Sequence, residues 1–263
     1  MIRAIGEKWV RTLIAHHPAA KQILNDIRIA LRRQAFYLRD FNMIPAGIFG
    51  STSIGLDIGA NRGDTLPDIL KHCDQVIAFE PLQSSYKQLT RRFATDKRVE
   101  LHRYGLSDES RTALLYTPRY NRYAIEGLAT LSHQKALTIE SAIHRDKPFY
   151  FYQRKYTTVD EESVTLRTLD SFHLAPSLMK IDVEGHEHAV LAGAAETISR
   201  HQTLIYMENN EKVYREWLPK SGYLCCCVPE GSQVLRWGKG RVNSFLIPQG
   251  NPRFDKMIDL VRT

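Results

Sequence analysis

The chain predicts an α/β fold: a Rossmann-like, mostly parallel central sheet flanked by helices, with an N-terminal helical extension. Three observations predict it. Short apolar runs at 54–58, 76–79 and 99–104 alternate with helical stretches at 64–73 and 82–95, and strand–helix alternation is the mark of a parallel doubly wound sheet. The first run ends in a glycine-bearing turn, Gly59-Ala60-Asn61-Arg62-Gly63. Finally, 263 residues with 43% hydrophobic and 25% charged side chains suffice for one large core without disulfide or metal staples.

Taken in order, residues 1–48 read as a basic helical extension, with helices over 1–16 and 19–40 separated near Pro18. Ile23, Ile27, Leu31 and Leu38 fall near one face of the second helix, and Arg28, Arg32 and Arg39 on another. Residues 1–41 hold eight basic and three acidic side chains, most of the net charge of +7. Such a helix can lie on an anionic membrane surface; the plainer expectation is that it packs on the body with its arginines solvated. The rest of the chain is near neutral, so no nucleic-acid partner is expected. No segment reaches the roughly 18 apolar residues of a membrane span, and the N-terminus lacks the pattern of a signal peptide. The expected location is the cytoplasm. Cys73 and the run Cys225-Cys226-Cys227 show no disulfide or metal-ligand spacing; the run reads as a partly buried strand.

The main domain is expected over 49–250. Its strands are Ile54–Ile58, Val76–Phe79 and Val99–Tyr104, followed by a polar, aromatic-rich region at 111–165 that contains Tyr116, Tyr120, Tyr123, Phe149, Tyr150, Phe151, Tyr152 and Tyr156. A helix over 134–145 fits there, and the remainder reads as an acceptor-binding insertion, since long insertions in compact domains are usually functional. Regular structure resumes with a strand at Leu178–Asp182 and a helix over 187–200 that carries Val190, Leu191, Ala194 and Ile198 on one side. Leu204–Glu208 is a fifth strand, Leu224–Val228 and Val242–Ile247 a closing pair, and 251–263 a tail.

The chemistry concentrates at strand ends, where ligands bind in open α/β sheets. Gly59, Asn61 and Gly63 allow a tight turn and close approach of backbone to ligand. Counted from Gly59, Asn61 and Asp64 stand where a dinucleotide fingerprint needs glycine, which argues against a pyrophosphate. Asp57 suits a ligand with an amino group. Glu80, 17 residues after Gly63, can accept hydrogen bonds from two ribose hydroxyls. Ser107 and Asp108 follow the third strand and are placed to bond an adenine amine. Together these residues point to S-adenosylmethionine as cofactor.

Lys180-Ile181-Asp182-Val183-Glu184-Gly185-His186-Glu187 brings five ionisable side chains to the end of a central strand. Asp182, Glu184 and His186 are the candidate catalytic residues: a carboxylate to orient an acceptor hydroxyl and a base to take its proton. Asp182, Glu184, Glu208 and Asn209 are also oxygen ligands suited to Mg²⁺; a divalent cation is permitted by this spacing but not favoured.

These motifs, with Ala78-Phe79-Glu80-Pro81 and Thr168-Leu169-Asp170, resemble the FkbM family of methyltransferases over roughly residues 50–250. The resemblance implies a class I methyltransferase fold and methyl transfer to oxygen, often on sugars or polyketide hydroxyls. It assigns Asp57, Gly59, Asn61, Gly63 and Glu80 to the cofactor and places Asp182 and Glu184 near the reacting methyl. Tyrosines of 111–156 would offer a sugar platform. The rival expectations are a non-catalytic S-adenosylmethionine-binding regulator and a nicotinamide-dependent oxidoreductase, the latter disfavoured by Asn61 and Asp64. A nucleic-acid methyltransferase would need an Asn-Pro-Pro-Tyr-like element after the fourth strand, and none is present.

Overall fold

A computed structural model describes residues 39–120, 123–137 and 157–262. The first strands follow the apolar runs: β1 (Ile54–Ile58), β2 (Gln75–Phe79) and β3 (Val99–His102). A short β4 (Gly105–Leu106), a long β5 (Arg111–Tyr120), β6 (Tyr123–Ala124) and a long β7 (Thr157–Arg167) come next. The chain continues through β8 (Pro176–Ile181), β9 (Leu204–Glu208), β10 (Tyr223–Cys227), β11 (Leu235–Trp237), β12 (Asn243–Pro248) and β13 (Val261–Arg262).

Nine of these form one sheet in the order β13-β11-β10-β12-β9-β8-β1-β2-β3. The run from β9 to β3 is parallel, and β12 and β10 add antiparallel partners at the far side, as the closing pair predicted. Alternation sorts side chains between two cores. Leu56, Ile58, Ile77, Phe79, Met179 and Ile181 face one; Val76, Ala78, Leu178, Leu204 and Tyr206 face the other. Both faces are covered, which is why these strands read as nearly continuous apolar runs.

Helices differ from expectation in length. The stretch 64–73 contains a single α-turn, α1 (Leu66–Ile69), while α2 (Gln83–Phe93) is close to its predicted span. The helix expected over 187–200 is two: α3 (Glu187–Ala192) and α4 (Ala195–His201). Val190, Leu191, Ala194 and Ile198 still share one core. The break has a tertiary cause. A Cβ on Gly193 would stand 1.9 Å from the Ser107 carbonyl oxygen. The Gly193 carbonyl accepts from Asp170 N at 3.0 Å. Asp170 also caps α4, its carboxylate accepting from Glu196 N at 3.1 Å and Thr197 N at 2.9 Å. Gly193→Ala is therefore expected to lower stability by about 1–3 kcal/mol or more, read as a fall in thermal midpoint; an unchanged midpoint would mean that the Ser107 loop yields freely.

The two arms of region 111–165 are strands: β5 and β7 pair antiparallel from Arg111↔Leu166 to Tyr120↔Thr157, and with β4 and β6 make a second, four-stranded sheet. Leu82, Leu115, Val164 and Leu166 form its small core. Residues 133–137 are helical, and the rest of the helix expected over 134–145 lies outside the described residues, as do Phe149 to Tyr156.

Both domain edges also move. Phe41, Ile44 and Phe49 are buried, and the Tyr206 hydroxyl donates to Asp40 at 2.7 Å, so the packed body begins before residue 49. Arg39 pairs with Asp40 at 2.8 Å and donates to the Val228 carbonyl, so it serves the body rather than a free basic face. The helices expected before residue 39, and any membrane contact they make, lie outside the described residues. Residues 251–262 are no tail: Phe254 and Met257 are fully buried and β13 pairs with β11. The cysteine run lies in β10 as free thiols, with Cys226 and Cys227 buried. Among the described residues no helix is long and apolar enough to cross a membrane.

Candidate functional site

The strand order reverses at β1, which has β2 on one side and β8 on the other. The loops after β1 and β8 therefore part around a crevice. Beneath it lies a buried ion pair. Asp57 and Lys180 are register neighbours on these two strands, both at most 3% exposed. Lys180 Nζ is 2.9 Å from Asp57 Oδ1 and donates to the Gly59 carbonyl at 3.0 Å. It lies 3.9 Å from Asp182 Oδ2. The Thr65 hydroxyl donates to the other Asp57 oxygen. One cation thus ties the base of the first loop to the base of the second.

The first loop uses its glycines for packing. Gly59 has φ +78° and lies where a Cβ would be 2.0 Å from the Asp182 carbonyl oxygen. Gly63, also at φ +78°, faces Phe93 and Leu89 of α2, so it backs the loop instead of facing the crevice. Asn61 is held left-handed, at φ 49°. Its N–H donates to Glu80 Oε2 at 2.7 Å, and Leu82 N donates to Oε1 at 2.8 Å. Burial pushes the Glu80 carboxyl up to about 7, against these two amide bonds and the nearby Lys180 charge.

Over the crevice a cavity of about 270 Å³ is lined by Gly59, Asn61, Glu80, Asp182, Glu184 and His186. Apolar walls come from Phe79, Leu106, Leu115 and Leu166, so the second sheet serves as its cover. Arg62 fastens that cover, pairing with Glu126 of the 3₁₀ turn Glu126–Leu128 at 2.8 Å.

The second loop is strained. Glu184 takes φ 52° and Gly185 φ 102°, and a non-glycine residue in the left-handed region is a mark of functional loops. Thr130 Oγ1 donates to the Glu184 carbonyl at 3.0 Å, and Lys135 Nζ pairs with Glu184 Oε2 at 3.2 Å. Glu187, 1% exposed, braces the turn: Oε1 accepts from Gly185 N at 3.0 Å and Oε2 from Asn210 Nδ2 at 2.6 Å. Asp182, Glu184 and Glu208 offer oxygens within 4.8 Å of one another. Asn209 does not join them. Its Oδ1 accepts from Tyr214 and Ser244 hydroxyls at 2.5 and 2.8 Å, and its Nδ2 donates to Gly240. The four-ligand cation set envisaged from spacing therefore loses one member.

Ser107 and Asp108 follow Gly105 and Leu106 of the cavity wall without lining it themselves. The buried Ser107 hydroxyl donates to Asp108 Oδ1 at 2.8 Å, and Ser107 Oγ lies 2.9 Å from His186 Nε2. With its proton committed to Asp108, the serine oxygen accepts, so Nε2 carries the imidazole hydrogen. Nδ1 then makes no hydrogen bond among the described residues, and it does not cap α3. Burial lowers the His186 pKa, with Asp108 opposing, so the ring is a free base near neutrality.

Of the predicted residues, Gly59, Asn61, Glu80, Asp182, Glu184 and His186 meet in one cavity. Asp57 and Gly63 support it from below and behind, and Ser107 and Asp108 hold His186. Lys180, Thr65 and Glu187 were not assigned from sequence. The one available signal was a lysine within the mostly apolar run Leu178-Met179-Lys180-Ile181.

Residues 57–261 match a family model described as Methyltransferase FkbM domain. No curated protein matches the chain significantly. Among solved structures, a methyltransferase FkbM from Methylobacillus flagellatus KT is similar at 15% identity and a TM-score of 0.46, over 74% of this chain and 43% of that one. The chain thus spans less than half of that protein's length. An rRNA methylase from Streptococcus thermophilus is similar at 10% identity and TM-score 0.39, over 81% of this chain and 92% of the other. A precorrin-6y C5,15-methyltransferase from Geobacter metallireducens GS-15 follows at 9% identity and TM-score 0.37, over 74% and 78%.

Proposed function

The chain belongs to the FkbM methyltransferase family, and on that footing we propose that it transfers a methyl group from S-adenosylmethionine to a hydroxyl of a sugar or other small molecule. One observation carries this reading. A single cavity at the carboxyl ends of β1, β2 and β8 joins a glycine loop and a buried carboxylate to a strained acidic turn with a free imidazole nitrogen.

The wall fits the cofactor. Glu80 offers a desolvated carboxylate for ribose hydroxyls, the Gly59–Asn61 backbone approaches closely, and Phe79 and Leu106 give apolar surface for a base. When bound, S-adenosylmethionine supplies an already activated methyl group, so the protein's task is alignment and proton removal. Asp182 and Glu184 orient the acceptor hydroxyl. His186 Nδ1 takes its proton, with Ser107 and Asp108 as positioning residues that hold the tautomer. No step calls for a cation. The reading keeps a small-molecule acceptor, no nucleic acid and a cytoplasmic location, with peripheral contact between anionic membrane and the residues before Arg39 as the alternative to their packing on the body.

Calorimetric titration with S-adenosylhomocysteine tests the cofactor. Glu80→Ala is expected to weaken micromolar binding at least tenfold, about 1.4 kcal/mol. Wild-type affinity is also expected to depend on pH. A carboxyl at about 7 is only about one-tenth ionised at pH 6 and mostly ionised at pH 8, so affinity rises roughly tenfold between them. The variant should lose that slope. Absence of binding by folded wild-type protein would overturn the cofactor reading and favour a regulator of another kind; family membership already sets the nicotinamide reading aside.

A further inference from the structure

A second cavity, of about 520 Å³, adjoins the first at His186. Arg111, Tyr116, Ser132 and Lys135 line it, and Glu184 and His186 form the wall it shares with the first cavity. An acceptor whose hydroxyl stands at His186 must place the rest of its body somewhere, and this space adjoins that residue. We propose that the second cavity is the acceptor subsite and that the acceptor carries an anionic group, a carboxylate or a phosphate, received by Arg111 and Lys135. The proposal rests on the methyltransferase reading above.

The charge on the walls supports it. Arg111 is 41% exposed, and its ion-pair partner Glu109, two residues back in the chain, is 69% exposed. Exposed pairs of this kind are weak, so an incoming anion exchanges for Glu109 at little cost. A guanidinium fork matches the paired oxygens of carboxylate or phosphate. Lys135, 38% exposed, reaches the junction itself through Glu184. Tyr116 presents an aromatic ring, packed at 4.9 Å against His133, as a surface for a sugar ring.

The test uses the full chain saturated with S-adenosylhomocysteine, titrated calorimetrically with glucuronate, glucose 6-phosphate and glucose. At least one acid is expected to bind tenfold or more tightly than glucose, and the better of the two names the group. Arg111→Ala and Lys135→Ala should each remove at least tenfold of that preference, while Arg215→Ala, a 75% exposed cation elsewhere, should keep it. Equal binding of glucose and both acids, or full preference in Arg111→Ala, overturns the subsite. S-adenosylhomocysteine affinity, measured separately on each protein, reports the fold and the cofactor reading. Its loss in wild type with acid preference intact would sink the methyltransferase reading and leave the anion site standing.

Discussion

Lys180→Met is expected to cost about 3–5 kcal/mol of folding free energy, the usual penalty for removing one partner of a buried ion pair. Nζ holds Asp57, the Gly59 carbonyl and, at longer range, Asp182. Without it, Asp57 is left as a fully buried charge with one hydroxyl donor, Thr65. Methionine fills similar space, so the loss is electrostatic rather than a cavity. Urea unfolding measures it. The double variant Asp57→Asn, Lys180→Met removes the orphaned charge and should recover part of the loss, a coupling that separates pair-breaking from poor packing. In the double variant S-adenosylhomocysteine binding should stay weak, because the Gly59 carbonyl has lost its donor. A single variant as stable as wild type would show that the charge under the loop is not needed.

This pair also marks the limit of what could be read in advance. Asp57 was legible as a site residue because it stands at the end of an apolar run before a glycine turn. Its neighbour Lys180 is 123 residues away in sequence, and only the parallel register of β1 with β8 brings them side by side. Asp57 therefore has a partner beneath the loop that no local pattern announces. Ser107 and Asp108 likewise have a partner that their turn-like composition does not announce: Gly193 admits the Ser107 carbonyl at close range, and the Ser107 hydroxyl lies against His186.

The large sheet was legible because its central strands are buried on both faces, so apolar residues run on without a break. The second sheet hides one face only. Val164 and Leu166 are buried while Ser163, Thr165 and the acidic run Asp160-Glu161-Glu162 lie outside or at the edge; acidic residues are depleted in strands generally. The partner strand β5 begins 46 residues before β7 begins, so no short hairpin turn announces the pairing. Glu80 and Gly59, by contrast, were legible because each sits within a residue of a strand end, where local pattern and function coincide.

His186→Ala is expected to reduce turnover by about 10²–10⁴-fold, the range for losing a positioned base, with S-adenosylhomocysteine affinity within about twofold of wild type. An aliphatic hydroxyl is too weak an acid to lose its proton unaided near neutrality. Nδ1 is left unprotonated when Nε2 donates to Ser107, and His186 lines both cavities. The pH profile supplies the sign. Burial lowers the His186 pKa, so the free-base form persists below the ordinary value near ~6.5, and the acid limb of kcat should fall below that point. Ser107→Ala removes the oxygen that accepts from Nε2, so the Nε2–H tautomer is no longer enforced. Turnover should drop while cofactor affinity holds, and the imidazole ¹⁵N shifts should move toward a mixture of tautomers. Glu184→Gln should also cut turnover sharply, since it loosens Lys135 and the strained turn together, but it should leave the acid limb in place. If the limb vanished in Glu184→Gln and survived in His186→Ala, the roles would be exchanged: the carboxylate would be the base and the imidazole the group that orients the acceptor.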